Sequence, residues 1–364
     1  RVTRDIMRAR AACFFATPCG RGCSIGANFQ SPTVLLPPAL ATGNLTIRTD
    51  AMVFEVSSNA KGQANGVGFI DRITGKQHHV RARVVILAAS ACESARIMLN
   101  SKSNAHPNGI GNASGLVGKY IMDTVGADLL GQFPIMENMP PHNADGASAM
   151  HMYMPWWLYQ EQAKGQLDFA RGYHIEFGGG RRMPQGGHFS SVEAMNGGNY
   201  GQQLKEDCRR YYGSFIGFSG RGEMIPNEDC YCTIDGEQKD KWGIPTLKFH
   251  WRWSDHELNQ ARHMHATFRT IIESMGGRVM GEVATDGARA IKKPGEIIHE
   301  VGGARMGDNP ATSVLNQFCQ SWQVPNLFVT DGAGFVSNAD KNPTLSIMAN
   351  AWRSADYLVQ EMRA

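Results

Sequence analysis

Two short apolar runs, each ending at a polar turn, constrain the fold more than any other feature of the sequence. The first covers residues 84–89 and precedes a predicted helix over residues 91–100. The second covers residues 326–330 and precedes Asp331 and Gly332. A continuous apolar run of strand length is typical of a parallel strand buried on both faces. The sequence therefore predicts an α/β fold in which a ligand binds where these strands end.

The residues best suited to chemistry lie on either side of the second run. His299 lies upstream in a glycine-rich loop, and Asn342 lies downstream, directly before Pro343, Thr344 and a helical stretch. Histidine is the usual catalytic base near neutral pH. The arrangement could bring one imidazole and one amide to the same point above a bound cofactor.

Both residues also have a simpler interpretation. A single histidine is more often a satisfied structural group than a base, and Asn before Pro is what a helix start favours. The final helix needs only packing to explain an apolar stripe on one side. The stripe consists of Leu345, Met348, Trp352, Ala355, Leu358 and Met362.

The turn after the first run could hold a phosphate. Ser90 and Glu93 have the spacing of a capping box, and a strand that feeds a capped helix can present backbone amides to an anion. The alternative is a plain strand–helix unit. No G-x-G-x-x-G sequence follows a strand, and the glycines at 109, 111 and 115 have the wrong spacing for one.

Three cysteines near the beginning of the sequence are candidate metal ligands. Cys13, Cys19 and Cys23 form C-x5-C-x3-C. Three thiolates this close could ligate iron, and three ligands favour a 3Fe–4S cluster. Three alternatives stay open on spacing alone: incidental buried cysteines, a disulfide plus a free thiol, or a zinc site that lacks one ligand.

The rest of the chain reads as ordinary globular sequence. Strands are predicted at residues 44–48, 52–56, 66–71, 79–83 and 243–253, and Ser254 with Glu257 should cap a helix that ends near Met275. The net charge of +3, without a basic run, argues against a nucleic-acid partner. No apolar stretch is long enough to span a membrane, and no signal peptide is visible at Arg1.

Several segments together resemble one known family. Residues 299–307 read His-x-x-Gly-Gly-x-Arg-Met-Gly, and Asp331-Gly332 is followed by Asn342-Pro343-Thr344. This closely resembles the C-terminal end of the glucose–methanol–choline (GMC) oxidoreductases, flavoenzymes that oxidise alcohols and sugars. Asn at position 342 is similar to the pyranose-oxidase and sugar-dehydrogenase branch. The segment around the three cysteines resembles the cluster segment of bacterial FAD sugar dehydrogenases, glucoside 3-dehydrogenase and FAD glucose dehydrogenase among them.

The resemblance implies a fold class and a division into domains. The fold would be α/β (α+β), with a doubly wound FAD-binding domain that lacks its first βαβ segment, plus a substrate domain with an antiparallel sheet. Residues 1–118 would form part of the FAD-binding domain and carry the cysteine segment 13–23. Residues 119–298 would form the substrate domain, and residues 299–364 would return to the FAD-binding domain.

The resemblance also implies an activity. His299 would be the base and Asn342 its partner in oxidising a sugar or glucoside hydroxyl to a ketone or lactone. FAD would lie near Asp331, Gly332, Asn342, Pro343, Thr344, Ala89 and Ser90. Electrons would leave through a 3Fe–4S cluster on Cys13, Cys19 and Cys23 to a c-type cytochrome. A small partner subunit and a periplasmic location are expected on the same basis. The alternatives are a pyranose-oxidase-like oxidase that uses dioxygen, or a non-catalytic remnant or subunit.

Overall fold

A computed structural model describes residues 10–14, 22–140, 152–180 and 188–363. The strands are β1 (Ala51–Ser58), β2 (Ala64–Asp71), β3 (Gln77–Arg81), β4 (Val85–Leu87), β5 (Val125–Gln132), β6 (Met152–Met154), β7 (Tyr173–Gly179), β8 (Phe215–Gly222), β9 (Tyr231–Lys239), β10 (Pro245–His250), β11 (Arg278–Met280) and β12 (Leu327–Val329). The helices are α1 (Ser31–Val34), α2 (Leu36–Ala41), α3 (Ala91–Asn100), α4 (Tyr159–Ala163), α5 (His188–Asn196), α6 (Gly201–Tyr211), α7 (Asp255–Ser274), α8 (Gly287–Ala290) and α9 (Thr344–Arg363). Within these residues no helix has the length and apolar character needed to cross a membrane.

Strands β4 and β12 pair in parallel although they are far apart in the sequence. Val85 lies opposite Leu327, and Leu87 lies opposite Val329. The side chain of Asn326 donates to the carbonyl oxygens of Ala64 and Arg83 at 2.7 and 2.8 Å and thereby fixes the beginning of β12. The two apolar runs are therefore parallel strands, and the predicted mixed α/β fold class is confirmed. Strand β12 is buried on both faces as expected, but Ile86 on β4 is 50% exposed, so the expected burial on both faces is wrong for β4.

Helix α3 has the predicted bounds, but the capping box predicted from Ser90 and Glu93 is wrong. Ser90 has φ of 87°, and its side chain makes no capping hydrogen bond. Capping by a side chain needs extended torsions at that position. Glu93 instead lies 3.3 Å from the guanidinium of Arg96.

The first sheet is antiparallel, with the strand order β1–β2–β3. Its strands overlap three predicted ones, at residues 52–56, 66–71 and 79–83. The strand predicted over residues 44–48 is wrong, because that segment joins no ladder. Arg48 instead places its guanidinium 4.9 Å from the centre of the Phe69 ring.

A five-stranded antiparallel sheet, in the order β11–β5–β8–β7–β6, dominates the middle of the chain. One face is apolar and packs against α7, where Met264 and Phe268 are fully buried. Gly220 on β8 allows this close approach, since a Cβ there would lie 2.4 Å from the sulfur of Met264. The opposite face of the sheet carries polar side chains.

Strand β10 pairs with β9 in a separate two-stranded sheet and ends at His250, earlier than the predicted strand. The capping box predicted for α7 is confirmed. The carboxylate of Glu257 accepts from the backbone amide of Ser254 at 2.8 Å. This helix ends at Ser274, close to the predicted end.

The C-terminal helix α9 departs from the packing expected of its apolar stripe. Leu345, Trp352 and Met362 are 78%, 73% and 53% exposed. Ser354 is the one residue of the helix classed as buried in the described chain. The Tyr357 ring stacks on Phe318 with centroids 4.0 Å apart. Met348 and Leu358 of the stripe are half-buried. The stripe is therefore covered only in part, and packing alone does not explain its exposed members.

The core beneath the five-stranded sheet should carry much of the stability. Replacing Phe268 by alanine leaves a cavity between α7 and the sheet, and should lower the free energy of unfolding by about 3–5 kcal/mol. Urea unfolding followed by circular dichroism measures this loss. Arg269→Ala, at the exposed neighbouring position on the same helix, should change the stability by less than about 1 kcal/mol. Equal losses for both variants would contradict the assigned core.

Candidate active site

The carboxylate of Asp123 holds the loop that carries His299. Its Oδ1 accepts from the backbone amides of Thr124 at 2.7 Å and His299 at 3.1 Å. Its Oδ2 accepts from the amide of Gly295 at 3.1 Å. Asp123 is only 1% exposed, so these amides replace the water that the carboxylate loses on folding. The backbone of His299 is thus fixed beside the beginning of β5.

The imidazole of His299 is oriented from one side. Its Nδ1 lies 3.2 Å from Oγ1 of Thr124. The buried Asn338 amide donates to the same Oγ1 at 3.3 Å and to the carbonyl of His299 at 3.1 Å. Within the described part of the chain, Nε2 of His299 has no hydrogen-bond partner. The ring is therefore held at one nitrogen and left open at the other.

The surroundings of His299 favour its neutral form. Burial lowers the pKa of the imidazole, the negative charge of Asp123 opposes this shift, and the positive charge of Arg221 adds to it. The net result is a pKa below the ordinary histidine value. At neutral pH the ring can therefore accept a proton, as a base must.

Asn342 lies in an exposed position just before the last helix. Helix α9 begins at Thr344, and the carbonyl of Pro343 accepts from the amide of Ile347 at 3.0 Å. The helix therefore starts one residue later than an Asn342 N-cap requires. The Asn342 side chain makes no hydrogen bond to another described residue, so its pairing with His299 stays a prediction.

Asp331 joins the ends of the two parallel strands. Its buried carboxylate accepts from the hydroxyl of Ser94 and, at 2.9 Å, from the amide of Ala333. Burial raises the pKa of Asp331, and the hydrogen bonds from Ser94 and from the amides of Ala333, Ala89 and Ser90 oppose this shift. The carboxylate therefore points into the protein and holds the turn between the two strand ends.

Gly332 connects this turn to the His299 loop and lies close to the first turn of α9. The carbonyl of Gly332 accepts from the amide of Gly302 in the His299 loop at 2.9 Å. A Cβ on Gly332 would lie 3.6 Å from the side chain of Ile347 in the first turn of α9. Ala89, Ser90 and Thr344 are exposed. The small residues Ala89 and Ser90 are therefore exposed where β4 ends, and a small exposed turn at that point is compatible with a bound cofactor.

The polar face of the five-stranded sheet contains functional candidates that the sequence reasoning missed. Tyr153, Glu176, Ser219 and Asp128 form one row across β6, β7, β8 and β5. His174 and Arg221 lie opposite each other in the next row, followed by Gly126. These residues alternate with the apolar side chains that face α7.

The loop that leads to His299 packs against this polar face. A Cβ on Gly126 would lie 2.2 Å from the Cδ1 atom of Ile297, so only glycine permits the contact. Lys292 and Arg221 both reach Asp128, at 2.9 and 3.3 Å. His299 is therefore bordered by the polar side of the sheet.

The sequence contained weak signals for some of these residues. Asp123 ends the segment 115–123, which resembles the start of the family's substrate domain, and Thr124 follows it directly. Asn338 lies between two matched motifs. The polar row on β7 alternates with Tyr173 and Ile175, as a half-buried strand does. Only the strand register shows that these positions face His299.

Two of the three candidate metal ligands lie in the described residues, and Cys19 lies outside them. Cys13 and Cys23 are free thiols and are half-buried. The amide of Asn28 donates to the sulfur of Cys23 at 3.4 Å. This bond lowers the pKa of Cys23, and the amides of Ile25, Ala27 and Gly26 add to the effect. The described residues alone contain no group of three metal-binding side chains.

Comparison with known proteins identifies the class. The chain belongs to the GMC oxidoreductase family: the N-terminal family model matches residues 1–131, and the C-terminal one matches residues 226–351. The family predicted from the sequence motifs is therefore confirmed. Members of this class act on alcohol CH–OH groups, in agreement with the predicted enzyme class.

Similar proteins include a 2-methyl-1,2-propanediol dehydrogenase from Mycolicibacterium austroafricanum. It is 29% identical over 88% of this chain and 55% of its own length. A gluconate 2-dehydrogenase flavoprotein from Pantoea cypripedii is 27% identical over 91% of this chain and 53% of its own. The chain thus spans about half the length of these relatives. Formate oxidase from Aspergillus oryzae shares the fold, with a TM-score of 0.60, 14% identity and coverage of 88% of this chain and 62% of that one.

The role of Asp123 can be tested by Asp123→Asn. An amide group cannot accept from both sides as the carboxylate does, so at least one buried donor loses its partner. The free energy of unfolding should fall by about 1–3 kcal/mol, and the amide of His299 should exchange faster with deuterium. Urea unfolding and hydrogen exchange measure the two effects. Asp229→Asn, at an exposed position, is the matched control; an equally small change in both variants would contradict the assignment.

Proposed function

We propose that this protein is an FAD-dependent dehydrogenase that oxidises a hydroxyl group of a sugar or glucoside to a ketone or lactone. The observation that carries the proposal is the His299 imidazole, which is kept neutral, held at Nδ1 and left open at Nε2. It is connected to the turn where the parallel strands end, and it borders the polar face of the sheet. A base that lies between the proposed cofactor site and the polar face of the five-stranded sheet suits alcohol oxidation.

The reaction removes a proton from the hydroxyl group and a hydride from the carbon that bears it. FAD, when bound, is the hydride acceptor. His299 takes the proton at Nε2, and such a base is typically worth about 10²–10⁴ in rate. For Nε2 to carry the free lone pair, Nδ1 must carry the proton and donate it to Oγ1 of Thr124. The Asn338 amide, bonded to the same oxygen, keeps that hydroxyl in place.

Asn342 is the proposed partner of His299 on the substrate. A neutral amide can donate to the substrate oxygen without repelling the positive charge that His299 gains. Its exposure leaves it accessible to a ligand, and the first turn of α9 sets its position. The resemblance to the sugar-oxidising branch of the family supports the same role.

The side chains on the polar face of the sheet are suited to binding a hydroxyl-rich substrate. Carboxylates accept hydrogen bonds from hydroxyl groups, and Glu176 and Asp128 lie on this face, in the row next to that of His174, Arg221 and Gly126. Several basic side chains on or beside this sheet are already paired with carboxylates. Arg221 and Lys292 lie 3.3 and 2.9 Å from Asp128, and Arg171, just before β7, lies 3.2 Å from Glu223. These pairs make a neutral sugar a better fit than an anionic substrate.

FAD would be held by the predicted residues around the ends of the parallel strands. Ala89 and Ser90 flank the exposed turn after β4, and Gly332 adjoins the first turn of α9. Asp331 would act from within, by fixing this turn through Ser94. The fold shared with FAD-dependent oxidoreductases supports the same cofactor.

Electrons would leave through a 3Fe–4S cluster held by Cys13, Cys19 and Cys23. Backbone amides directed at the Cys23 sulfur stabilise a thiolate, the form that ligates iron. A c-type cytochrome would be the acceptor, and a small subunit and a periplasmic location complete the proposal. The flavoprotein name of the gluconate 2-dehydrogenase relative is compatible with a multi-subunit enzyme.

A pyranose-oxidase-like reaction with dioxygen is the second candidate, because oxidases also occur among the similar proteins. Stoichiometric peroxide during sugar oxidation would favour the oxidase, whereas its absence with an active artificial acceptor would favour the dehydrogenase. A protein that holds no flavin would instead favour a non-catalytic remnant or subunit.

The role of His299 can be tested by anaerobic titration with glucose and simple glucosides while flavin absorbance is followed. The wild type should bleach. His299→Ala should reduce its flavin at least about 10²-fold more slowly because the hydroxyl proton has no acceptor. The flavin spectrum of the variant before sugar is added should be unchanged. Reduction at the wild-type rate would refute the assignment.

The cluster can be tested without any substrate. Anaerobically purified protein should contain close to three irons and four acid-labile sulfides per chain, as expected for a 3Fe–4S cluster. Cys23→Ser should lose both, because a thiolate ligand is removed. Cys208→Ser, on α6, is the matched control and should retain them. Absence of iron and sulfide from the wild type would contradict the proposed 3Fe–4S cluster.

A further inference from the structure

His174 is a buried titratable group that the proposed mechanism does not use. It lies on β7 and is 0% exposed. Its Nε2 lies 3.1 Å from Oε1 of Glu176 on the same strand, and its Nδ1 lies 3.2 Å from Oδ2 of Asp340. The imidazole therefore bridges the polar face of the sheet and the loop before α9.

The geometry of this bridge requires a charged imidazole. A neutral imidazole carries a proton on only one of its two nitrogens. The other nitrogen would then place its lone pair against a carboxylate oxygen inside the protein, which is unfavourable. Protonated His174 donates to both carboxylates. If it loses its proton, one of the two bonds is lost.

The loop that His174 holds, residues 335–343, contains the groups on which the site depends. Asn338 bonds to Thr124 and to the carbonyl of His299. Asp340 is the partner of His174, and Asn342 follows two residues later. Release of Asp340 would therefore loosen the segment that places Asn342 and steadies His299.

We propose that protonated His174 is a positioning residue, which holds loop 335–343 and with it Asn342 against the polar face of the five-stranded sheet. The inference rests on the function proposed above. It adds a second ionisation to the reaction: His299 must be neutral, whereas His174 must be charged.

The charges around His174 come from each element packed against it. They are Glu176 on its own strand, Tyr153 on β6 with its ring centre 5.3 Å away, Arg221 opposite on β8, Asp340 and Lys341 on the loop, and His299. Burial by itself lowers the pKa of His174, but the hydrogen bonds to Asp340 and Glu176 outweigh it and raise the pKa above the ordinary value. Lys341 opposes the rise.

The two histidines together set the sign of the pH dependence. His299 has a lowered pKa and must be neutral, so flavin reduction should rise as pH increases through its pKa. His174 has a raised pKa and must be protonated, so reduction should fall as pH increases through its pKa. A bell-shaped profile around the ordinary histidine range is expected.

Asp340→Asn tests the alkaline side of this profile. It removes one negative partner while keeping the shape, so His174 should lose its proton at lower pH. Anaerobic stopped-flow reduction by glucose from pH 5 to pH 9 would give the rates. The amide that replaces the carboxylate can donate to the lone pair of neutral His174, so the bridge no longer requires a charged imidazole. The alkaline limb should therefore weaken or disappear, and the ratio of the rate at pH 6 to the rate at pH 8 should fall below that of the wild type. If Asp340→Asn does not fold, Glu176→Gln removes the other carboxylate and predicts the same direction.

His174→Gln tests the acid side, and His250→Gln on β10 is the matched control. Loss of the His174 charge should raise the pKa of His299, so the acid limb should move to higher pH and the alkaline limb should disappear. The control should keep both limbs. Unmoved limbs in His174→Gln and Asp340→Asn would overturn the proposal, since a purely structural role lowers the rate without shifting the profile.

A readout that needs no substrate separates this inference from the proposed function. Hydrogen exchange measured by mass spectrometry at pH 6 should show faster exchange in residues 335–343 of His174→Gln, and no change in His250→Gln. Unchanged exchange would overturn the inference even if sugar bleaches the flavin. A wild type that no sugar reduces would defeat the proposed function, while the exchange result would still decide whether His174 holds the loop.

Discussion

The parallel pairing of β4 with β12 is the contact on which the site depends. It joins segments separated by most of the chain and brings their polar ends together, where the buried Asp331 carboxylate accepts from Ser94 and from Ala333. Gly332 then bonds to Gly302, so the same junction fixes one end of the His299 loop. A buried carboxylate with several donors is costly to disrupt, because each donor would lose a hydrogen-bond partner away from water.

The other half of the site comes from the five-stranded sheet. Its apolar face packs on α7, and this leaves the opposite face free to carry charged groups. Asp123, just before β5, anchors the His299 backbone, while Thr124 and Asn338 orient the ring. The proposed chemistry thus lies between the parallel strand pair, which would face the cofactor, and the polar face of the antiparallel sheet, which would face the substrate.

Some helix features were predicted correctly from short residue patterns, and others were not. The predicted capping box at α7 forms because the backbone of Ser254 has extended torsions. The capping box predicted at α3 does not form because Ser90 has a positive φ. Torsions imposed by a strand-to-helix turn are invisible in the spacing of two residues. The partly exposed stripe of α9 shows the same limit: periodicity predicts an apolar face, but only tertiary contacts decide how much of that face is covered.

The sequence by itself determined the family, the mixed α/β class and the residues that carry its motifs, His299, Asp331 and Asn342 among them. These three inferences depend on the spacing of residues within short segments, which can be read directly from the sequence. The tertiary structure decided that Asp331 turns inward, that Thr124 and Asn338 orient His299, and that His174 bridges Glu176 and Asp340. Those contacts join residues that are far apart in the chain. Which side chains share a face of the sheet depends on the strand register, and no single segment of the sequence encodes that register.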